Sequence, residues 1–204
     1  QTHQGSLASA HLKGNGITIE TDRFTNSGAV FSDNALHIKT TKTLFNDGGF
    51  LLGSGAVDLS SGDLLANSSG VILGDIITLN AKTIIDGTAK IRDTNEYGFV
   101  DRAGQKGQIL SDHELNIQSL SDLGAEGGEF TSGGSTTMII GGSATFSALA
   151  LESEHEQTLE KGHYNAQSSE HRLTEVNSDG DLTIVTGGEL NLGGKFKAKG
   201  NGDF

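Results

Sequence analysis

Histidine and glutamate side chains are concentrated between residues 152 and 175. The residues that could act together are His155, His163 and His171, spaced eight apart, with Glu154, Glu156 and Glu170 beside them. Imidazole and carboxylate groups are ligands for divalent metals. A hairpin that turns at Gly162 could place His155 opposite His171. The sequence shows no partners that would orient such ligands, so we predict solvated side chains on an exposed arm and assign no metal ligand.

Glycine-rich motifs suggest two further chemistries, and neither motif has the pattern that its chemistry requires. Calcium-binding β-rolls repeat G-G-x-G-x-D-x-U-x, whereas Gly187-Gly188-Glu189-Leu190 lacks the third glycine and the aspartate. A phosphate-binding loop should lead into a helix, whereas Gly14-Asn15-Gly16 leads into Ile17-Thr18-Ile19, which alternates like a strand. We predict that these glycines form backbone corners, and we assign no cofactor.

The amino-acid composition argues against several classes of function. The chain has 26 acidic and 14 basic residues among 204, and its net charge of −12 has the wrong sign for binding nucleic acid. A glycoside hydrolase needs two suitably spaced carboxylates and normally aromatic platforms, but the chain has no Trp and 2 Tyr. It has no Cys for disulfides or thiolate nucleophiles. No apolar run approaches the ~18 residues that span a bilayer. We predict a non-enzymatic protein with no catalytic residue and no membrane insertion.

Apolar residues recur about every twenty positions. One row consists of the i, i+2 pairs Ile17/Ile19, Leu36/Ile38, Val57/Leu59 and Ile77/Leu79, whose first members are 19, 21 and 20 residues apart. A second row is Phe24, Leu44, Leu65 and Ile85, and a third is Val30, Phe50, Val71 and Ile91, with steps of 20, 21 and 20 in each. Spacing of i, i+2 places both side chains on one face of a strand. Each repeat therefore contains three short strands separated by corners.

One such repeat cannot be stable alone, because burying about six apolar side chains does not offset the entropy of ordering about twenty residues. Stacked repeats share backbone hydrogen bonds and a continuous core. The sequence therefore predicts an all-β parallel solenoid of about nine or ten coils, roughly 40–45 Å long at ~4.8 Å per coil. The complete absence of proline agrees, since proline would remove hydrogen bonds between coils. The predicted inward residues are Ile17, Ile38, Leu59, Leu79, Leu182 and Leu192.

Asparagine marks one corner of the repeat. Asn26, Asn46 and Asn67 are followed by serine, aspartate and glycine residues, which favour sharp turns. We predict a ladder of stacked side-chain amides at this corner. Gly87 takes the next position at this spacing, so the ladder is predicted to stop there.

Two polar stretches interrupt the repeat. Residues 93–112 are predicted to form an irregular coil or a loop that leaves the stack, and residues 152–177 a hairpin outside it. The predicted division is therefore 1–92 regular coils, 93–112 the irregular segment, 113–151 coils, 152–177 the hairpin and 178–204 coils. Irregular excursions from a rigid scaffold are where binding is concentrated, so these two stretches are the predicted contact surfaces.

The segment from Gly180 to Gly194, GDLTIVTGGELNLGG, resembles the haemagglutinin repeat of filamentous haemagglutinins and contact-dependent growth inhibition exoproteins. The coils with Asn-Ser-Gly turns resemble the same family's roughly twenty-residue repeats, and Ala148 to Gly180 is similar to the polar interruptions between them. The resemblance covers essentially the whole chain. The chain departs from the family pattern in having no Asn-Pro motif of the secretion domain, and nothing after Lys199 resembles a toxin.

The resemblance implies a long, rigid, right-handed β-helix that is exported by an outer-membrane partner pore in two-partner secretion. It implies a secreted, bacterial cell-surface stalk that serves adhesion or presents a toxin to neighbouring cells, with a target-cell receptor as a further partner. The chain would be an internal piece of a larger protein, and the pore would recognise regions outside it. Two alternatives share the fold: a polysaccharide-binding or depolymerising β-helix of the pectate-lyase or tailspike kind, and an autotransporter passenger.

Overall fold

The computed structural model describes residues 4–7, 11–160 and 162–204. The protein is all-β, with 73% of its residues in strands. The described residues contain no helix, and therefore none that is long and apolar enough to cross a membrane. In chain order the strands are β1 (Gln4–Leu7), β2 (His11–Gly14), β3 (Ile17–Asn26), β4 (Ala29–Ser32), β5 (Leu36–Asp47), β6 (Phe50–Gly53), β7 (Val57–Ser61), β8 (Leu64–Ser68), β9 (Val71–Ala81), β10 (Thr83–Gly87), β11 (Lys90–Asn95), β12 (Gly98–Ala103), β13 (Gln108–Ser119), β14 (Leu123–Glu126), β15 (Glu129–Ser132), β16 (Thr136–Ile140), β17 (Ala144–Ser147), β18 (Leu149–Leu159), β19 (Gly162–Arg172), β20 (Glu175–Ser178), β21 (Leu182–Thr186), β22 (Leu190–Leu192), β23 (Lys195–Ala198) and β24 (Gly202–Asp203).

Twenty of these strands form one large parallel sheet that wraps into a nearly closed, solenoid-like body. Its hydrogen-bonded strands form three faces. Face A contains β2, β4, β6, the start of β9, the start of β13, β15, β20 and β23. Face B contains the first halves of β3 and β5, then β7, the second halves of β9 and β13, β16, β21 and β24. Face C contains β1, the second halves of β3 and β5, then β8, β10, β14, β17 and β22. The chain visits the faces in the order B, C, A, and we call one such circuit a coil.

The core is the space enclosed by the three faces. On face B the predicted apolar row is confirmed, because Ile17 pairs with Leu36, Leu36 with Val57 and Val57 with Ile77. The inward side chains of this row are almost entirely buried, except that of Ile19, which is partly buried against the core. Alternate residues along each strand point into the core and into solvent, as a period of two requires.

Two predicted rows are wrong in their register. On face A, Val30 pairs with Leu51 and Leu51 with Ile72, so Phe50 points outward and is 39% exposed. The reason is that Phe50-Leu51 and Val71-Ile72 are adjacent apolar pairs, in which either residue fits a spacing of twenty. On face C, Leu65 pairs with Ile84 rather than with the exposed Ile85.

Each face has eight strands within the described residues, where the sequence predicts nine or ten coils. The stack is shorter than predicted because Lys90–Ala103 leaves it as a complete hairpin, in addition to Leu149–Arg172, most of which the sequence already places outside the stack. Ile91, predicted to be a core residue, belongs to the first excursion and pairs with Arg102. Leu192, predicted to point inward, pairs with the buried Phe146 and so lies on the core side of face C. Its strand, β22, is the last one described on that face, and Leu192 is 44% exposed.

Glycines lie where neighbouring coils approach most closely at the corners. A Cβ added to Gly187 would lie 2.2 Å from the Gly141 carbonyl oxygen, and the Gly188 amide donates to the Gly142 carbonyl at 2.8 Å. At the corner between faces C and A, Gly48 has φ +66° and Gly127 φ +62°, a conformation that side chains disfavour. These glycines serve the packing of the corners, in agreement with the sequence prediction.

Candidate contact surface

Two β-hairpins project from the same corner of the solenoid and join into one small sheet. The first is β11–β12, which leaves after face C at Gly87 and returns to face A at Gln108. The second is β18–β19, which leaves at Ser147 and returns at Glu175. Together they form a four-stranded antiparallel sheet in the order β11-β12-β18-β19, which we call the fin.

The hairpins pair because one regular coil, with β14 on face C and β15 on face A, separates their bases. Two steps along the solenoid amount to ~9.6 Å, and a two-stranded hairpin occupies the same distance because strands lie ~4.8 Å apart in both sheets. The facing edges of β12 and β18 therefore meet at hydrogen-bonding distance. Phe99 pairs with Glu154 and Val100 with Ser153, and the Glu156 amide donates to the Tyr97 carbonyl at 2.6 Å.

A buried carboxylate ties three strands of the fin together. The Asp101 side chain is 0% exposed and accepts two hydrogen bonds from Arg92, Nε to Oδ1 at 2.7 Å and Nη2 to Oδ2 at 2.8 Å. The backbone amide of Glu152 on β18 donates to Asp101 Oδ2 at 3.2 Å, and Lys90 Nζ lies 3.7 Å away. The hydrogen bonds from Arg92 lower the pKa of the Asp101 carboxyl to about 2. The carboxylate thus links β12 to β11 and to the second hairpin.

Asp101→Asn should loosen the fin without unfolding the solenoid. The amide cannot accept the bidentate pair of charge-assisted hydrogen bonds that Arg92 donates. Because the folded-state pKa is lowered, the carboxylate stabilises the fin above its unfolded pKa near 3.8, and this stabilisation disappears as the pH falls through about 2. At pH 7 we expect hydrogen exchange in peptides covering 90–103 to quicken about tenfold or more, with unchanged exchange in 36–47.

The matched control is Asp93→Asn, which removes the same charge from an exposed pair with Arg102 on the same hairpin. Surface ion pairs contribute little, so exchange in the fin should stay near wild type. Equal effects of Asp93→Asn and Asp101→Asn would show that the buried carboxylate has no special role.

The two sides of the fin differ in chemistry. One side, the charged face, carries Arg92, Phe99 and the glutamates of β18, and the Arg92 guanidinium lies 3.8 Å from the centre of the Phe99 ring. A cleft along this side, near the tip, is lined by Glu96, Tyr97, Gly98, Glu154, Glu156, Gln157 and Thr158. This side combines a stacked arginine with carboxylates that face solvent.

The other side, the aromatic face, presents a row of rings near the tip of the fin. The His155 ring lies between Tyr97, with centroids 5.6 Å apart, and Tyr164, with centroids 5.8 Å apart. Tyr164 is 52% exposed, and Val100 and Ile91 on the same side are also exposed. Exposed aromatic and apolar groups on a protruding element are typical of interaction surfaces.

The three histidines of the fin do not converge. His155 pairs with Ala166, His163 with Thr158 and His171 with Ala150, so His155 is not opposite His171. Because alternate residues face opposite sides of a sheet, His155 points to the aromatic face and the other two to the charged face. His163 Nε2 instead lies 3.3 Å from Glu156 Oε1 on the other strand of the hairpin.

The segment 93–112, expected to be an irregular coil or loop, supplies β12, part of β11 and the start of β13. Sequence reasoning therefore missed the first hairpin and Asp101. A turn signal was present in Asn95-Glu96-Tyr97-Gly98, where the Asn95 side chain accepts a hydrogen bond from the Tyr97 amide at 2.8 Å. Comparisons with protein-family models, curated proteins and solved structures returned no match to this chain.

Proposed function

We propose that this chain is a non-catalytic segment of a long exoprotein, in which a solenoid scaffold displays the fin as a contact surface. The observation that supports it is the fin itself, an ordered sheet outside the core that carries exposed aromatic and charged groups. In this proposal the solenoid is a right-handed parallel β-helix with coils of about twenty residues. The pairing of residues 19 to 21 positions apart on face B supports this coil length.

A stalk has to transmit load along its axis, and the faces of this solenoid suit that task. Every strand in the interior of the stack bonds to a strand on each side, as β5 bonds to β3 and to β7. Stacked repeats that contact only their neighbours form elongated arrays, and further repeats can be added at their ends. The fin is linked to this array at both ends of each hairpin, so its position is fixed relative to the axis.

The resemblance to filamentous haemagglutinins and growth-inhibition exoproteins supplies the biological setting of the proposal. We infer a secreted protein of the bacterial cell surface, exported through an outer-membrane partner pore that recognises regions outside this chain. The stalk would serve adhesion or present a toxin to neighbouring cells. A receptor on the target cell is then the partner of the fin.

Binding of the fluorescently labelled chain to bacterial and epithelial cells tests this proposal. We expect saturable binding that becomes at least about tenfold weaker when Tyr97 and Tyr164 are both replaced by Ser, because exposed tyrosines are common binding hot spots. The control replaces Ile139 and Val185, two exposed residues that pair on the outside of face B, by Ser. The absence of saturable binding, or equal weakening by both variants, would contradict the proposal.

The alternative is a polysaccharide-binding or depolymerising β-helix. The feature that favours it is the tip of the fin, where exposed Tyr97 and Tyr164 flank His155 on the aromatic face and glutamates line a cleft on the charged face. Incubation with a panel of acidic polysaccharides distinguishes the two functions. New reducing ends would support the depolymerase, whereas an unchanged panel supports the stalk.

A further inference from the structure

Buried side-chain amides form a ladder along the corner between faces C and A. Asn26 Nδ2 donates to Asn46 Oδ1 at 2.8 Å, and Asn46 Nδ2 donates to Asn67 Oδ1 at 2.8 Å. The ladder does not stop at Gly87 as the sequence predicts. Asn67 Nδ2 donates to Asp86 Oδ1 at 2.7 Å, so the fourth member is a carboxyl group.

The amides of Asn46 and Asn67 also close their own corners. Asn46 Nδ2 donates to the Gly49 carbonyl and Asn67 Nδ2 to the Gly70 carbonyl, each at 3.0 Å. An amide nitrogen has two hydrogens, and here one bonds to the next coil and the other to the corner. The ladder side chain of such a coil therefore has to donate a hydrogen bond to the carbonyl oxygen of the glycine at its own corner.

In the coil of Asp86 the corner carbonyl belongs to Gly107. Gly49, Gly70 and Gly107 occupy equivalent places, because their carbonyls accept from the amides of Val71, Gln108 and Glu129 in successive coils at 2.9 Å each. Asp86 Oδ2 is buried and has no hydrogen-bond partner among the described residues. An ionised carboxylate has only acceptors to offer at this position, whereas a protonated carboxyl has one O–H donor.

The surroundings of Asp86 favour the protonated form. A Cβ added to Gly128 in the next coil would lie 2.0 Å from Asp86 Oδ2, so the backbone there closes over the oxygen. Burial raises the pKa of Asp86 to about 7, against the hydrogen bond from Asn67 and the charge of Lys106, and Glu129 raises it further. Of the other groups beside it, Asn67 on β8 is neutral and Ala125 on β14 is apolar.

Asp86 lies at the base of the fin. Its neighbour Gly87 and the corner residue Gly107 are where the first hairpin leaves and rejoins the solenoid, and a Cβ on Gly107 would lie 2.2 Å from the Gly87 carbonyl. Just beyond, Thr88 Oγ1 donates to the Gly127 carbonyl at 2.7 Å and the Ala89 amide donates to Ser69 Oγ at 2.9 Å. A change at Asp86 therefore acts on the attachment of the hairpin.

We propose that Asp86 is a proton-operated clasp: its protonated carboxyl donates to the Gly107 carbonyl and closes the corner beneath the fin, and its ionisation opens that corner. Since the neutral acid imitates the amides of the preceding coils, the closed state continues the ladder. Ionisation places a charged acceptor against a carbonyl oxygen in a buried site, which is unfavourable without a compensating partner.

Thermal unfolding at pH 5.5 and pH 8.5 tests the clasp. A group whose folded-state pKa is raised destabilises the fold progressively as the pH rises from its unfolded pKa to its folded pKa. For the wild type, Asp86 should lower Tm by roughly 4–8 °C between these two values. Asp86→Asn restores a permanent donor, so it should remove this decrease and raise Tm at pH 8.5. The control is Asp63→Asn, an equal charge change at an exposed aspartate, which should retain the wild-type slope.

Two measurements on the wild type complete the test without relying on a variant. The side-chain ¹³C resonance of Asp86 should titrate with a midpoint near neutral pH. Exchange protection of the Ala89 and Gln108 amides, which donate to Ser69 Oγ and to the Gly70 carbonyl, should fall by about tenfold or more above this midpoint, after correction for intrinsic rates. A carboxyl that titrates near pH 4, or the same Tm slope in the wild type and Asp86→Asn, would overturn the proposal.

Discussion

Replacing Leu59 with Asp should destabilise the protein by about 5 kcal/mol or more. Leu59 is 0% exposed and lies between Ile38 and Leu79 in the inward row of face B. The substitution removes apolar contacts in both directions along the stack and introduces a charge with no partner. Because native proteins are stable by only about 5–15 kcal/mol, the variant should be largely unfolded or lose a cooperative transition.

Urea unfolding followed by circular dichroism measures this effect. Leu59→Ala should cost about 2–5 kcal/mol, since it leaves only a cavity. Ile139→Asp is the control, because Ile139 lies in a strand of the same face but points outward and is 50% exposed; it should change stability by less than about 1 kcal/mol. A Leu59→Asp variant as stable as Ile139→Asp would show that Leu59 does not face the core.

Replacing Asn46 with Ala should cost about 2–5 kcal/mol, the second largest effect we expect. Among the described residues of the ladder, Asn46 alone has an asparagine on both sides, bonding to Asn26 and Asn67 as well as to the Gly49 carbonyl. The substitution leaves Asn67 Oδ1 and the Gly49 carbonyl each without this donor in a buried corner. Leaving a buried polar group without a hydrogen-bond partner costs more free energy than losing a hydrogen bond between groups that water can reach.

The same denaturation assay checks this result, with Asn191→Ala as the control. Asn191 is exposed on β22, and its replacement should change stability by no more than about 0.5 kcal/mol. Asn46→Leu tests the alternative that only volume matters at this position. If Asn46→Leu were as stable as the wild type, hydrogen bonding in the ladder would not stabilise the corner.

The sequence was most informative where alternation was unambiguous. On face B the pairs Leu36/Ile38 and Val57/Leu59 have polar residues between and after their members, so only one register buries them. On face A the adjacent apolar residues Phe50 and Leu51 fit either register. The choice there depends on the corners at each end of the strand, which fix the face that each residue presents.

The clasp and the fin were missed for different physical reasons. Asp86 lies 19 residues after Asn67, and a constant spacing of twenty selects Gly87 instead. The ladder tolerates the shorter step because the strands pair residue by residue, whatever the length of the corner between them. The residue type at position 86 also gave no signal, because an aspartic acid can donate a hydrogen bond as an asparagine does only when its carboxyl group is protonated.

The fin depends on a relation between distant segments. The second hairpin has a local signal in the alternating residues of 151–159, and the sequence predicts it. Pairing of β12 with β18 joins residues more than fifty positions apart, as Phe99 and Glu154 show. This pairing requires one regular coil between the bases of the two hairpins. That spacing can be recognised only when the number of solenoid strands between the hairpins is known.

The central claim is that successive coils stack in parallel with the pairing described for face B. Because the chain has no cysteine, an engineered pair reports one contact without interference. His37 and Asp58 point outward on neighbouring strands, and their side chains approach to 2.9 Å. Cα atoms on adjacent strands lie ~4.8 Å apart, within the range that a disulfide can bridge.

The decisive measurement is disulfide formation in two double variants, His37→Cys with Asp58→Cys and His37→Cys with Thr78→Cys, under mild oxidation. Thr78 lies one strand further along face B, so its Cα should be ~9.6 Å from that of residue 37, beyond the reach of a disulfide. We predict a nearly complete intramolecular disulfide in the first variant and free thiols in the second. A bridge in the second variant, or none in the first, would contradict the parallel stack.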